Sequence, residues 1–237
     1  MAKVDVLIPT YNRGNLLREA VASILRQTMG DFRILIWDDG STDGSTDEGF
    51  LPKDPRIEIY NREGSNKGIA AARNSLLDLV EAPFCAWQDS DDIAHHERLE
   101  KMVFALRNTR ADLAMSYLYF FNGSWKRKRW HPYSKIDTTK YDPDAVECGV
   151  DGNLTHATAV FRPHLKEYRC DTGRIAGSDY LWVKSLVMAG VSFTTVPEYL
   201  YYARRHSGRI NNQVKSKLRH KNDESNVERE RTLPEKD

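Results

Sequence analysis

The residues of this chain best suited to chemistry are the carboxylates of the acidic turn Asp89-Ser90-Asp91-Asp92, which follows the apolar run 82–87. Carboxylates held at the carboxyl end of a buried strand can bind a divalent cation against a diphosphate, because hard cations prefer oxygen ligands. The same residues can also form a simple turn in which Asp92 caps the next helix. The remaining motifs bear on which interpretation holds.

Two more polar clusters follow apolar runs earlier in the chain. Residues 9–13 (Pro-Thr-Tyr-Asn-Arg) come after the run 4–8, and residues 38–43 (Asp-Asp-Gly-Ser-Thr-Asp) come after the run 32–37. Ligands of parallel sheets bind beyond the carboxyl ends of the strands, so we expect these clusters and the acidic turn to converge on a shared ligand. Taken alone, the second cluster is also ordinary turn chemistry.

The elements that must position these clusters alternate along the chain. Apolar runs predict strands at 4–8, 32–37 and 56–60, and residues with helical spacing predict helices at 16–25 and 69–80. The runs before the three polar clusters are almost continuously apolar rather than alternating. That pattern predicts an α/β fold with a parallel sheet covered on both faces.

Composition narrows the class of protein. A chain of 237 residues with 40% hydrophobic content can bury a core as one large domain, or as one domain with a lobe. The net charge of +1 argues against a surface built as a whole for polyanions. Three widely spaced cysteines predict neither a disulfide framework nor a Cys-x-x-Cys metal site. The sequence has neither an apolar signal region nor a run of about 18 apolar residues. We therefore expect a cytoplasmic protein with no membrane span.

Four motifs together resemble those of the family 2 glycosyltransferases of GT-A fold. They occur in the order and at the spacing of that family, at residues 6–13, 36–43, 66–74 and 88–92. A weaker resemblance continues through residues 177–182 and 200–206, so that it covers most of 3–207. The resemblance implies a Rossmann-like, mostly parallel sheet with helices on both faces and a smaller acceptor-side region.

The resemblance also implies a division of labour along the chain. Residues 1–110 would be the nucleotide-sugar-binding half, and residues 111–210 the acceptor-binding and catalytic-base half of the same domain. Residues 211–237 are rich in charged side chains and poor in apolar ones, so we expect a charged tail there that is either mobile or a solvated helix.

The nucleotide-binding residues implied by the resemblance lie in the first half. Asp39 corresponds to the carboxylate that recognises the base, most often uracil, while Tyr11 offers an aromatic face to it and Pro9 and Thr10 shape the pocket. Arg73 follows a stretch of small residues, and its guanidinium is expected to reach the ribose or diphosphate. From the residues alone, Arg73 can equally be an exposed charge on the second helix. The set is completed by Arg13, Lys67, Asp89 and Ser90.

A divalent cation, Mn²⁺ or Mg²⁺, is part of what the resemblance implies. Asp91 would coordinate it against the diphosphate, with Asp92 as the alternative ligand, and Asp89 would contact the ribose or a metal-bound water. His206 matches a position that can ligate the metal, and imidazole suits Mn²⁺ better than Mg²⁺. A histidine after a strand can also be an ordinary surface residue. The metal would offset charge on the departing nucleoside diphosphate.

The catalytic base implied by the resemblance is Asp179, which would deprotonate an acceptor hydroxyl. The family usually places a Glu-Asp pair here, whereas this chain has Ser178-Asp179. Either residue can instead cap the helix that follows. The implied reaction is the metal-dependent transfer of a hexose or related sugar from a UDP-sugar with inversion.

Two other functions compete with this one. A non-catalytic sugar-nucleotide-binding or scaffold protein of the same fold is suggested by Ser178 and by the charged tail. A nucleotidyltransferase is disfavoured, because no glycine-rich loop bearing Lys or Arg follows the first strand.

Two segments have no clear counterpart in the resemblance: the charged tail and residues 125–133. Residues 125–133 combine five basic side chains with three aromatic ones, a composition suited to phosphate contacts and stacking. It predicts a saccharide, lipid-linked or polyanionic acceptor, with a nucleic acid as the least favoured choice. The alternative is an exposed hairpin whose charges are solvated.

Overall fold

Strand β1 (Val4–Thr10) is buried at every residue and forms the centre of the parallel part of the sheet. The computed structural model describes residues 3–61, 64–122, 124–129, 156–173 and 178–205. β1 pairs in parallel with β2 (Phe32–Asp38) and β4 (Phe84–Trp87), and β2 pairs in parallel with β3 (Ile57–Tyr60). The near-continuous apolar runs therefore form parallel strands, as predicted.

The second half of the sheet is mixed. β8 (Val160–Phe161) lies antiparallel between β4 and β6 (Leu113–Asn122), and β6 pairs in parallel with β9 (Phe193–Arg204). β9 also pairs with β5 (Ile93–Ala94), and β6 with β7 (Ser124–Arg129), both antiparallel. Only one residue separates β6 from β7, too short a connection for a parallel crossover.

Helices cover both faces of this sheet. The helices are α1 (Asn15–Leu25), α2 (Ile69–Asp78), α3 (Arg98–Asn108) and α4 (Ser178–Met188). Residues of α1 and α3 pack in one apolar cluster with Val6 and Ile8, whereas residues of α2 and α4 pack in another with Leu7. Successive residues of β1 thus point to opposite faces. The predicted α/β fold with helices on both faces of the sheet is confirmed.

The helix after the acidic turn begins six residues after Asp92, so Asp92 is not at its N-cap. α3 starts at Arg98 with Glu97 at its N-cap, and β5 lies between the turn and the helix. Oδ1 of Asp92 instead accepts a hydrogen bond from the backbone N–H of Arg204 at 2.7 Å. The interpretation of Asp92 as a helix cap is therefore wrong.

Residues Met1–Arg204 form one compact unit, and Arg205–Asp237 form a second. Of the second unit only Arg205 is described, so the predicted tail and His206 lie outside the described residues. Among the helices that are described, none combines the length and the apolar character needed to cross a membrane.

Candidate functional site

The three polar clusters predicted to converge do meet at the carboxyl ends of β1, β2 and β4. Among the contacts that join them are Asp39 N–H to the Thr10 carbonyl at 2.9 Å, Asn12 N–H to Ser41 Oγ at 2.9 Å, and Arg13 Nη2 to Asp91 Oδ2 at 3.7 Å. This convergence is confirmed, and it follows from the register that pairs Thr10 with Asp38 and Leu7 with both Leu35 and Trp87.

Asp38 and Asp39 are neighbours in sequence but have different surroundings. The carboxylate of Asp38 is fully buried and accepts hydrogen bonds from the backbone N–H of Ser41 at 2.8 Å and from the hydroxyl of Thr46. Asp38 therefore holds its own loop together, which is the turn chemistry left open for this cluster.

Asp39 reaches out of that loop to the start of α2. Its Oδ1 accepts a hydrogen bond from Lys67 N–H at 2.9 Å, and its Oδ2 accepts one from Gly68 N–H at 2.8 Å. Gly68 has φ 91°, a left-handed value that favours glycine at this turn. A carboxylate has about four lone-pair sites, so two remain on Asp39 for a ligand. The Lys67 side chain is exposed beside it.

The end of β1 supplies a buried polar atom and an exposed ring. Pro9 and Thr10 are buried, and Thr10 Oγ1 has no hydrogen-bond partner among the described residues. Tyr11, the next residue, is 44% exposed. A buried hydroxyl without a partner is unfavourable unless a ligand or water meets it, so this atom marks a place for a polar group.

Arg73 is buried, so the interpretation of an exposed charge on the second helix is wrong. Its Nη1 donates a hydrogen bond to Ser178 Oγ at 2.8 Å, and its Nη2 lies 3.5 Å from Asp89 Oδ1. The guanidinium thus joins the acidic turn to the first residue of α4. Asp179, the predicted base, is the next residue of that helix and is half-buried.

The acidic turn is held from behind by buried side chains. Gln88 Nε2 donates hydrogen bonds to the carbonyls of Asp89 at 3.1 Å and Asp92 at 3.0 Å. The hydroxyl of Tyr201 accepts a hydrogen bond from Asp89 N–H at 3.0 Å. Gln88 Oε1 in turn accepts one from Arg98 Nη1 at 3.1 Å. These contacts fix the backbone that carries the carboxylates.

Arg98 adds a positive charge behind the turn. Its guanidinium is fully buried, and it also donates hydrogen bonds to the carbonyls of Trp87 at 2.7 Å and Ala157 at 3.0 Å. Burial lowers the pKa of Arg98 to about 10, against the opposing effect of Tyr201, Asp89 and Asp92. At neutral pH the side chain remains charged.

Sequence reasoning missed the role of Arg98. Its spacing held a signal, because Arg98 precedes the buried residues Met102 and Leu106 by four and eight positions and so lies on their face of α3. An arginine on the apolar face of a helix indicates a buried polar network. Its partners could be found only from the fold.

The front of the turn carries the candidate metal ligands. Asp89 has 24% of its side chain exposed and Asp91 has 9%, while Asp92 is almost completely buried. Arg204 Nε donates a hydrogen bond to the carbonyl of Asp91 at 3.0 Å, and the guanidinium also pairs with Glu19. Carboxylate oxygens fit Mn²⁺ or Mg²⁺, and their exposure favours Asp91 and Asp89 over Asp92.

The acidic turn does not close a metal site by itself. Within the described part of the chain, the one group of three His, Cys, Asp or Glu ligands whose atoms lie within 4.8 Å of one another is His95, His96 and Glu97. A cation at the acidic turn would need phosphate oxygens and water to complete its shell, which is usual for Mg²⁺.

Some of the remaining predicted residues are described by the structure and others are not. Ser90 is buried within the acidic turn. His206 and residues 130–133 of the basic-aromatic segment lie outside the described residues, while residues 125–129 belong to strand β7.

Comparison with known protein families gives a match to Glycosyl transferase family 2 over residues 5–169. Glycosyltransferase GlyA of Streptococcus pneumoniae serotype 4 is 35% identical over 124 residues, which cover 52% of this chain and 18% of that protein. Poly(ribitol-phosphate) beta-N-acetylglucosaminyltransferase TarP of Staphylococcus aureus strain N315 is 25% identical over 211 residues, covering 85% of this chain and 62% of that one. The chain thus spans less than two thirds of either relative.

Solved structures agree with the fold. S. aureus TarS residues 1–349 in complex with UDP-GlcNAc matches with a TM-score of 0.68 at 19% identity, over 87% of this chain and 60% of that one. The mannosyltransferase PcManGT of Pyrobaculum calidifontis, in complex with GDP-Man and Mn²⁺, matches with a TM-score of 0.60 at 18% identity, over 84% and 56%.

Proposed function

The chain belongs to glycosyl transferase family 2, and on that premise we propose that it transfers a hexose or related sugar from a UDP-sugar to an acceptor hydroxyl with inversion. The observation that carries this proposal is the sheet edge at which the three polar clusters meet. There Asp39 accepts hydrogen bonds from the start of α2, Arg13 lies 3.7 Å from Asp91, and Arg73 joins Asp89 to Ser178. The donor would bind at this edge. The candidate base, Asp179, follows Ser178, which accepts the hydrogen bond from Arg73.

The donor would lie along the ends of β1, β2 and β4. Asp39 has two lone-pair sites left to accept a hydrogen bond from the base, and Tyr11 offers an exposed ring for stacking. Thr10 Oγ1 offers a buried polar atom that no described residue contacts by a hydrogen bond. The cationic side chains of Arg13, Lys67 and Arg73 would attract the diphosphate. The UDP-GlcNAc complex of the structural relative TarS supports a uridine nucleotide.

Asp91 and Asp89 would hold Mn²⁺ or Mg²⁺, which when bound supplies a positive charge at the leaving diphosphate. The Mn²⁺ in the PcManGT complex supports this choice. His206 as a further ligand stays a prediction from the sequence. Arg13, which lies 3.7 Å from Asp91, would face the same phosphate oxygens.

Asp179 is the proposed general base. The acceptor hydroxyl would lose its proton to this carboxylate while its oxygen bonds to the anomeric carbon and the carbon–oxygen bond to the diphosphate breaks. A single displacement inverts the anomeric centre. The hydrogen bond from Arg73 to Ser178 would hold the start of α4, and with it Asp179, relative to the donor side.

The proposed acceptor is a polymer or lipid-linked saccharide that bears phosphate groups. TarP acts on poly(ribitol-phosphate) by its name, and this chain has four consecutive basic residues, 126–129, on strand β7. In this proposal residues 1–110 supply the donor side and residues 111–210 the acceptor side. The proposed location of the protein is the cytoplasm.

A binding screen followed by turnover assays tests the proposed function. UDP, GDP and their sugars are added with and without Mn²⁺, and a ligand at a hundredfold its Kd should stabilise the fold by about 2.7 kcal/mol. We expect stabilisation by uridine nucleotides that depends on Mn²⁺, followed by UDP release with a phosphate-bearing acceptor. Stabilisation by GDP alone would contradict the proposed donor. Binding without turnover across an acceptor panel would favour a non-catalytic role.

A further inference from the structure

Three metal-ligand side chains stand next to one another in the turn between β5 and α3. The ligand atoms of His95, His96 and Glu97 lie within 4.8 Å of one another. The two imidazole rings have centroids 4.3 Å apart, and His95 Nδ1 is 3.9 Å from Glu97 Oε2. The proposed nucleotide site uses none of these side chains.

The backbone of this turn is fixed by hydrogen bonds to three other parts of the fold. The contacts are His95 N–H to the Leu200 carbonyl at 3.0 Å, Gln27 Nε2 to the His95 carbonyl at 2.7 Å, Thr28 N–H to the His96 carbonyl at 2.8 Å, and Arg98 N–H to the His95 carbonyl at 3.0 Å. A ligand that binds here orders side chains but not backbone. Preorganisation of this kind lowers the entropy lost on binding.

We propose that His95, His96 and Glu97 form a second metal site, selective for a borderline cation such as Zn²⁺. Two imidazoles and one carboxylate are a ligand set that zinc binds with a water at the fourth position. Mg²⁺ prefers oxygen ligands throughout, so the acidic turn and this turn would select different ions. All three side chains are at least partly exposed and can therefore meet a metal from solvent.

Closing the site requires only a small movement. Ligands about 2.1 Å from a tetrahedral zinc lie about 3.4 Å from each other. The separation of up to 4.8 Å must therefore shrink by about 1.4 Å, which rotation of partly exposed side chains can supply. The backbone need not move.

Lys101 is the competitor for this metal. Its Nζ lies 3.1 Å from Glu97 Oε2 and also pairs with Glu198. A metal bound to the Glu97 carboxylate would break the ion pair between Glu97 and Lys101. The Lys101 ammonium would keep its ion pair with Glu198. Zinc affinity should therefore rise when Lys101 is removed, a response not expected from adventitious binding elsewhere.

Calorimetric titration of the tag-free chain with Zn²⁺, in the presence of excess Mg²⁺, tests the site. We expect His95→Asn, His96→Asn and Glu97→Gln each to weaken the strongest zinc site by about tenfold or more, since even outer partners of metal ligands contribute 10–100-fold. Lys101→Met should tighten it. His164→Asn is the matched control, because His164 is an exposed histidine paired with Asp112 on another part of the surface.

Two further readouts separate the outcomes. Co²⁺ in place of Zn²⁺ should give the visible absorption of a four-coordinate site in the wild type, and His96→Asn should abolish it. Nucleotide binding by His96→Asn should stay unchanged, which distinguishes this site from the proposed donor site. Equal zinc affinity in the wild type and the three ligand variants would overturn the proposal, as would a Lys101→Met variant that binds zinc no better than the wild type.

Discussion

Arg98 on α3 donates a hydrogen bond to the side-chain oxygen of Gln88 at 3.1 Å, and the Gln88 amide group donates to two carbonyls of the acidic turn. The positions of the Asp89 and Asp91 carboxylates therefore depend on a buried cation behind them. Arg98 makes this contribution from beneath the candidate ligand-binding surface.

Arg98→Met should lower the free energy of unfolding by about 3 kcal/mol. The substitution keeps most of the apolar contacts but removes the hydrogen bonds that Arg98 donates to Gln88 Oε1 and to the carbonyls of Trp87 and Ala157. Urea unfolding measures the change. Arg107→Met on the same helix is the control, because Arg107 is exposed, and it should alter stability by less than about 0.5 kcal/mol. A similar small change at Arg98 would contradict the assigned role.

The parallel half of the fold was predictable because continuous apolar runs leave little choice. A strand such as β1, buried at every residue, must be covered on both faces, and helical spacing identified the helices that cover it. The two-residue strand β5 was not predictable, because its pairing with β9 depends on contacts distant in sequence.

The location of the candidate site was predictable from the sequence. The hydrogen-bond partners of each carboxylate in it were not. Asp38 and Asp39 are adjacent residues of the same type, yet their carboxylates have different partners. Asp38 accepts hydrogen bonds from its own loop, whereas Asp39 accepts them from Lys67 and Gly68 at the start of α2. The direction in which a side chain leaves a strand end decides this. Sequence spacing fixes the strand and leaves the geometry of the loop open.

Asp91→Asn should sharply weaken the Mn²⁺-dependent binding of UDP. The amide keeps the shape of the side chain but removes the negative charge that strengthens its bond to a hard cation. Calorimetry with UDP, with and without Mn²⁺, measures the loss. Asp92→Asn is the comparison, because Asp92 is almost completely buried and its Oδ1 accepts a hydrogen bond from Arg204 N–H. If only Asp92→Asn loses the metal dependence, Asp92 and not Asp91 is the ligand.

Asp179→Asn should leave UDP-sugar binding almost unchanged and reduce turnover by about 10²-fold or more, which is the scale of losing a positioned general base. Donor affinity from calorimetry and kcat from UDP release separate the two effects. Ser178→Ala is the matched variant at the neighbouring position, and it removes the acceptor of the Arg73 hydrogen bond. Turnover near the wild-type rate in Asp179→Asn would mean that the acceptor proton leaves by another route.

Replacing Lys126, Arg127, Lys128 and Arg129 by serine should raise the KM for a phosphate-bearing acceptor and flatten its dependence on salt. Exposed contacts between basic side chains and a polyanion weaken as ionic strength rises, because counterions screen the charges. Donor affinity should change little, because the proposed donor residues lie at the ends of β1, β2 and β4, whereas residues 126–129 belong to β7. The measurement is acceptor KM and donor Kd at several salt concentrations, with a neutral saccharide acceptor as the control. If the KM and its salt dependence both stay at wild-type values, β7 carries solvated charges and the acceptor is recognised elsewhere.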